Sequence, residues 1–199
     1  MKIKHYLLTI VTLLLLGACH GGVNEKIGNE TKQAIKEKDN GKGENNMYEY
    51  DIYDFADIKK APEAAMKHPL SNVIKILFDA GSIAAENTIA IDILKNEVFI
   101  NPKIGSRGLR FSDGSVEIND TEKVIKILEK YDVQNWKNDY TFENPEFYQD
   151  GYGWVLRLQF EDGTVEIYGG EGSRKSEIIP ENFDEFFAEL SEFVKERIE

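Results

Sequence analysis

One cysteine, three histidines and five prolines occur in 199 residues, and the first two scarcities exclude the most. Cys19 has no second thiol to pair with, so no intrachain disulfide braces the fold and stability must come from an apolar core. The histidines are His5, His20 and His68, and from residue 69 onward there is neither His nor Cys. Zinc and copper sites are built mostly on imidazole or thiolate, and Ser–His or Cys–His nucleophiles need an imidazole. No catalytic residue, metal ligand or cofactor-binding residue is therefore expected in the body of the chain. Basic residues are also short, 24 against 36 acidic. A surface of that sign is repelled by phosphate backbones and anionic headgroups, which argues against nucleic acid and against direct adsorption to lipid.

Long apolar runs are lacking too, with one exception at the start. Tyr6–Ala18 is almost unbroken, but it falls short of the roughly 20 residues that a spanning helix needs. Lys2 and Lys4 precede it, and Gly17-Ala18 follow it just before the cysteine. Basic head, apolar centre and small residues are the layout of an export signal. Leu16-Gly17-Ala18-Cys19 resembles the lipobox of bacterial lipoproteins. That resemblance implies that residues 1–18 are a signal peptide and that Cys19 is the lipid attachment site. The chain would then be held by its acyl chains on the outer face of the cell membrane. Removing residues 1–19 takes away two lysines and no acid, leaving 22 basic against 36 acidic residues, a charge of −14. Each buried acyl CH₂ contributes about 0.8 kcal/mol, so two chains anchor durably where one would not.

Residues 20–47 hold few large apolar side chains and many charges and glycines. Such a stretch cannot repay its ordering entropy and is expected to be a tether. As a coil it would reach roughly 30 Å, and fully extended about 95 Å. Residues 48–199 have the size of one domain with its own core. The expected class is α+β, an antiparallel sheet built from hairpins with helices packed on one face. Asn72–Phe78, Thr88–Leu94 and Glu97–Ile100 read as strands, the last two forming a hairpin about Lys95-Asn96. The first could instead be a helix starting at Ser71 and ending by Gly81, since short apolar runs are ambiguous.

Leu109–Ile118 (LRFSDGSVEI) and Leu158–Ile167 (LQFEDGTVEI) share seven of ten positions. Each reads as a hairpin with Asp-Gly in a two-residue type I′ turn. That turn sets Phe111 opposite Val116, and Phe160 opposite Val165, on one face. The likeness reads either as a duplicated hairpin–helix unit or as convergence of one-sided hairpins. Asn119 with Glu122, and Asn182 with Glu185, have the spacing of an N-cap and its third-position acid. The last helix carries Phe183, Phe186, Phe187, Leu190, Phe193, Val194 and Ile198 on one stripe.

Two further stretches invite a functional reading. Gly169–Ser176 (GGEGSRKS) is close to a phosphate-binding loop, but it has Arg174 where the second glycine belongs and Pro180 before the next helix. A mobile surface loop accounts for it better. Trp136–Trp154 packs seven aromatics into 19 residues, with Pro145 and two glycines among them. Rings in such a loop can stack on sugars or serve as partner hot spots, or they can cap the core. Trp136, Tyr140, Tyr148 and Tyr152 are the candidate partner-binding residues. Trp136, Asp150-Gly151, Trp154 and Pro180–Phe183 together resemble a family of uncharacterised Gram-positive lipoproteins, a resemblance that implies no activity. The expected function is a monomeric, membrane-anchored binding or protective module for a protein or glycan partner. A carboxylate-dependent hydrolase of the cell envelope is the alternative, because glycosidase-type chemistry needs no histidine.

Overall fold

A run buried on both sides folds as a central strand, and Val73–Phe78 is such a run. In the computed structural model, which describes residues 53–82, 85–142 and 151–199, it forms β1 (Val73–Ser82). β1 pairs on one side with β2 (Ala85–Asp92) and on the other with β7 (Tyr152–Phe160). The signal segment, Cys19, the tether and Tyr148 lie outside the described residues. β3 (Glu97–Phe99) pairs with β2, so the strand expectations hold and the helix alternative falls, but Asp92 faces Glu97 across a four-residue turn, Ile93–Asn96, instead of a turn about Lys95-Asn96 alone, and Asn96 takes φ 56° in it.

β4 (Lys103–Ile104) and β5 (Leu109–Phe111) make a small separate ladder, while β6 (Ser115–Glu117) and β8 (Val165–Gly172) close the main sheet. Its order is β6-β3-β2-β1-β7-β8, every neighbour antiparallel. With α1 (Thr121–Lys130) and α2 (Phe183–Ile198) this is an α+β fold, and it lies within one compact unit, Glu44–Glu199.

The two look-alike segments fold differently. Leu109–Ile118 is not a hairpin: β5 pairs with β4, and β6 pairs with β3. Asp113-Gly114 bonds across to Ile100, with Asp113 N–H to Ile100 C=O and Ile100 N–H to Gly114 C=O both at 2.9 Å. Phe111 consequently stands 58% exposed rather than opposite Val116. Distant chain wins this competition. Gly108 is pressed so tightly on the Phe55 carbonyl that a Cβ there would sit 2.0 Å from its oxygen.

Leu158–Ile167 does form a hairpin, but its register differs by one residue from the expected one: Gln159 faces Val165, and Phe160 N–H bonds to Thr164 C=O. The loop is three residues, Glu161-Asp162-Gly163, and only Gly163 has positive φ, 80°. That is the type I turn plus left-handed glycine of a three-residue hairpin, not a type I′ turn. Asp162 Oδ1 holds it by accepting the Thr164 N–H at 2.9 Å and the Thr164 hydroxyl at 2.7 Å. A one-residue slip moves side chains across the sheet. Phe160 enters one core and Val165 the other.

Those cores lie on opposite faces. The larger gathers Ile76, Phe78, Leu156, Leu158 and Trp154 with Val124 and Leu128 of α1 and Phe183, Phe186 and Leu190 of α2. The Phe78 ring meets Phe183, Phe186 and Phe187 of α2 at centroid distances of 6.0, 6.2 and 5.3 Å. Five of the seven stripe residues of α2 are buried, and Phe187 and Ile198 are partly so. The smaller core gathers Leu77, Ala90 and Val165 under Phe55, Ile58 and Ala61.

Neither helix is capped as the spacing suggested. The N-cap of α1 is Asp120 rather than Asn119, and neither Asp120 nor Asn182 makes a side-chain capping bond.

The outer edge of β8 is covered by two parallel segments. Val165 exchanges backbone bonds with Pro62 and Ala64, and Gly169 with Asn138 and Tyr140. Gly169–Gly172 therefore belongs to β8 and is no surface loop. No helix among the described residues is long and apolar enough to cross a membrane.

Candidate functional site

Trp136, Tyr140 and Tyr152 flank the same end of the large core, and only part of their surface reaches water. Trp136 is 7% exposed, so its ring is a core element and not a surface hot spot. It meets Trp154, Tyr168 and Phe186 edge to face. Its indole N–H donates to Asn182 Oδ1 at 3.1 Å, and the Asn182 amide donates to the Tyr131 carbonyl at 2.7 Å. Asn182 thus serves the indole instead of capping α2. Tyr140 and Tyr152 are half-buried. The Tyr140 ring lies 5.9 Å from Trp154, and its hydroxyl accepts the Lys137 N–H. Burial pushes the Tyr152 phenol up, and Lys175 Nζ sits 5.2 Å from its ring centre. A buried core wants indoles whose N–H finds a partner, which explains why aromatic density here reports packing.

The structure places an open cleft elsewhere, on the face of the sheet that carries the smaller core, at the end where β1 and β8 finish and β2 and β7 begin. The register explains it. In a sheet, directly opposed residues share a face. Glu86, Gly81, Gly153 and Glu171 are opposed in sequence across the four strands. The next row is Thr88, Asp79, Val155 and Gly169. Two adjacent strands therefore offer glycine where a side chain would otherwise fill the surface, leaving a cleft of roughly 620 Å³. Val155 and Ile167 give it an apolar floor, and the segment Asn138–Thr141 walls one side.

Carboxylates dominate its rim: Asp79, Glu86, Asp139 and Glu171. No Lys, Arg or His stands among the described lining residues, and among the described residues neither Glu86 nor Glu171 is in an ion pair. Asp139 is fixed by the Thr141 N–H, 2.8 Å from Oδ1, and the Thr141 hydrogen bonds hold its carboxyl below the usual range. Asp79 accepts the Thr88 hydroxyl at 3.1 Å and faces Arg157, which burial pushes below its ordinary value. A general acid for glycoside cleavage needs a carboxyl held above the usual range; Asp139 is moved the other way.

A second polar cluster is internal. Glu166, 4% exposed, accepts the Tyr168 hydroxyl at 2.6 Å and the His68 backbone N–H at 2.8 Å. Lys67 Nζ reaches the Tyr168 oxygen at 2.7 Å. Burial drives the Tyr168 phenol far upward, and Glu166 adds to it. These bonds fasten residues 67–68 to β8, a structural duty.

The cleft residues escaped the sequence reading because Asp79–Glu86, Asn138–Thr141 and Gly151–Glu171 meet only in the folded register. A usable signal was present: Gly81 and Gly153 interrupt two runs of strand-forming residues. Among the described residues no group of three or more His, Cys, Asp or Glu is arranged to hold a metal ion. No protein-family model, curated protein or solved structure matches the chain.

Proposed function

We propose that the chain is a membrane-anchored extracytoplasmic lipoprotein that works by binding, its cleft receiving a cationic group of a protein or glycan partner. On this reading Cys19 carries the lipid. Hairpins build the sheet, and both helices cover one of its faces, which leaves the end of the other for recognition. The observation that carries the proposal is the cleft's chemistry: four carboxylates around an apolar floor, with no cation among its described lining residues. On a chain with 36 acids against 24 bases, such a cleft concentrates the field and steers cations toward it.

The anchor and the cleft are tested separately. In cells, Cys19→Ser should move the protein out of the detergent phase, because a hydroxyl cannot form the thioether; retention there would mean that another segment holds the membrane. For the cleft, full-length protein captures its partner from envelope extract, and Glu86→Gln/Glu171→Gln is compared with wild type. Capture should weaken in the double variant, and also between about 0.01 and 0.15 M salt as the screening length falls from about 30 to about 8 Å. Capture indifferent to both variant and salt would remove the cleft from the mechanism.

A further inference from the structure

Resting on the cleft as the binding site, we infer that it takes a linear aliphatic oligoamine, its methylenes on the bare Gly81–Gly153 floor and its end ammoniums on Glu86 and Glu171. β1 and β7 are interior strands, each paired on both sides. Their backbone N–H and C=O groups point along the sheet to neighbours and not up into the cleft. A peptide laid on that floor would find no backbone partner there for its own amides, and unmet amides weaken a complex. A methylene chain asks for nothing but contact, which glycine backbone and the flanking Val155 and Ile167 provide.

Four strands carry the row Glu86–Gly81–Gly153–Glu171, so three interstrand steps of about 4.8 Å separate its ends by about 14 Å. One carboxylate thus stands at each end of a side-chain-free path, with Asp139 on the wall beside it. A single inorganic cation cannot reach both ends, whereas a chain with charges spread along it can. Charge complementarity alone would attract any cation to this acidic protein; the glycine path is what selects length and thinness.

The experiment therefore separates shape from charge. Full-length protein in a neutral detergent is titrated calorimetrically with a linear tetraamine at about 0.15 M salt. Glu171→Gln removes one end charge from an exposed side chain. Gly153→Val keeps the charge and fills the path. A Cβ at Gly153 meets nothing closer than the Gly170 carbonyl at 4.0 Å, and the melting temperature of the valine variant is measured beside wild type to check that the fold is kept. Glu122→Gln on exposed α1 surface is the control for net charge. Tetraamine should bind measurably, with an affinity weakened at least fivefold by Glu171→Gln and by Gly153→Val and unchanged by Glu122→Gln. A monoamine should not compete. Binding that is absent, that either cleft variant leaves within twofold of wild type, or that Glu122→Gln weakens equally, overturns it. If tetraamine fails while the two cleft variants still release the captured partner, the cleft keeps its binding role and only the oligoamine falls. If capture survives both variants, that broader reading falls with it.

Discussion

Gly170→Ala should be among the most damaging single-methyl additions in this protein. Gly170 is buried in β8 and lies between the Trp154 indole and the backbone of Ile178. A Cβ there would sit 2.3 Å from the Ile178 carbonyl oxygen and 3.0 Å from both Trp154 Nε1 and Tyr140 Cβ. The nearest of these is backbone, so no rotamer change relieves it. That same carbonyl accepts the buried Trp154 N–H at 2.6 Å. Making room means lifting the 178 segment and losing the bond. A buried donor left unmet costs about 1–3 kcal/mol, and overpacking adds about 1–3 kcal/mol. Together they predict a loss of about 2–6 kcal/mol. At about 2–4 °C per kcal/mol for a domain of this size, that lowers the melting temperature by about 4–24 °C. Tryptophan fluorescence is a direct readout, since Trp136 and Trp154 are both buried. Gly153→Ala is the internal contrast: with nothing nearer than 4.0 Å, it should be neutral or stabilise by up to about 1 kcal/mol. A Gly170→Ala protein melting within about 2 °C of wild type would show that the close approach is not real.

Three further outcomes are expected. Asn182→Ala should destabilise by about 1–3 kcal/mol in urea titrations by leaving the Trp136 N–H and the Tyr131 carbonyl unpaired. Asn182→Ser should not restore it, whereas rescue by Ser would mean that Asn182 acts as an N-cap after all. Asp120 is held at about 2 by hydrogen bonds from Arg197 and Lys123, against 3.8 unperturbed. A carboxyl lowered on folding contributes stability above its unfolded value and loses it as pH falls through the folded one. Asp120→Asn should therefore flatten the drop in stability between about pH 4 and pH 2, and an unchanged acid limb counts against the ion pair. Gly163→Val, at φ 80°, should cost about 1–3 kcal/mol by backbone strain, read by thermal melting; an unchanged midpoint would deny the left-handed turn.

How much of this was legible beforehand depends on whether the deciding contacts are local. β1, β2, β3 and α2 could be read because β-branched runs and a helical stripe are written within each segment. Leu109–Ile118 could not, because its partners are Ile100, Lys103, Ile104 and Phe55, and nothing inside ten residues reveals a better offer elsewhere. Asp-Gly at 162–163 correctly marked a turn, but not whether two or three residues make it, and that one residue decides which core Val165 enters. Aromatic density at Trp136–Trp154 was ambiguous in principle: the same rings suit a core or a surface, and burial of Trp136 resolves it for that residue. The cleft was invisible because glycine in a strand says only that something is missing, not what stands beside it.

If the chain is held on a membrane as proposed, the strand edges carry a consequence for life on that surface. Proteins fixed to one leaflet meet one another at concentrations no free solution reaches, and always in the same orientation. An open sheet edge under those conditions is an invitation to zip into ribbons. Here one margin of the sheet is occupied by the chain's own segments on either side of Ile167, and the other is a strand of three residues, Ser115–Glu117. A domain so finished can be crowded by its neighbours and still meet them only as strangers.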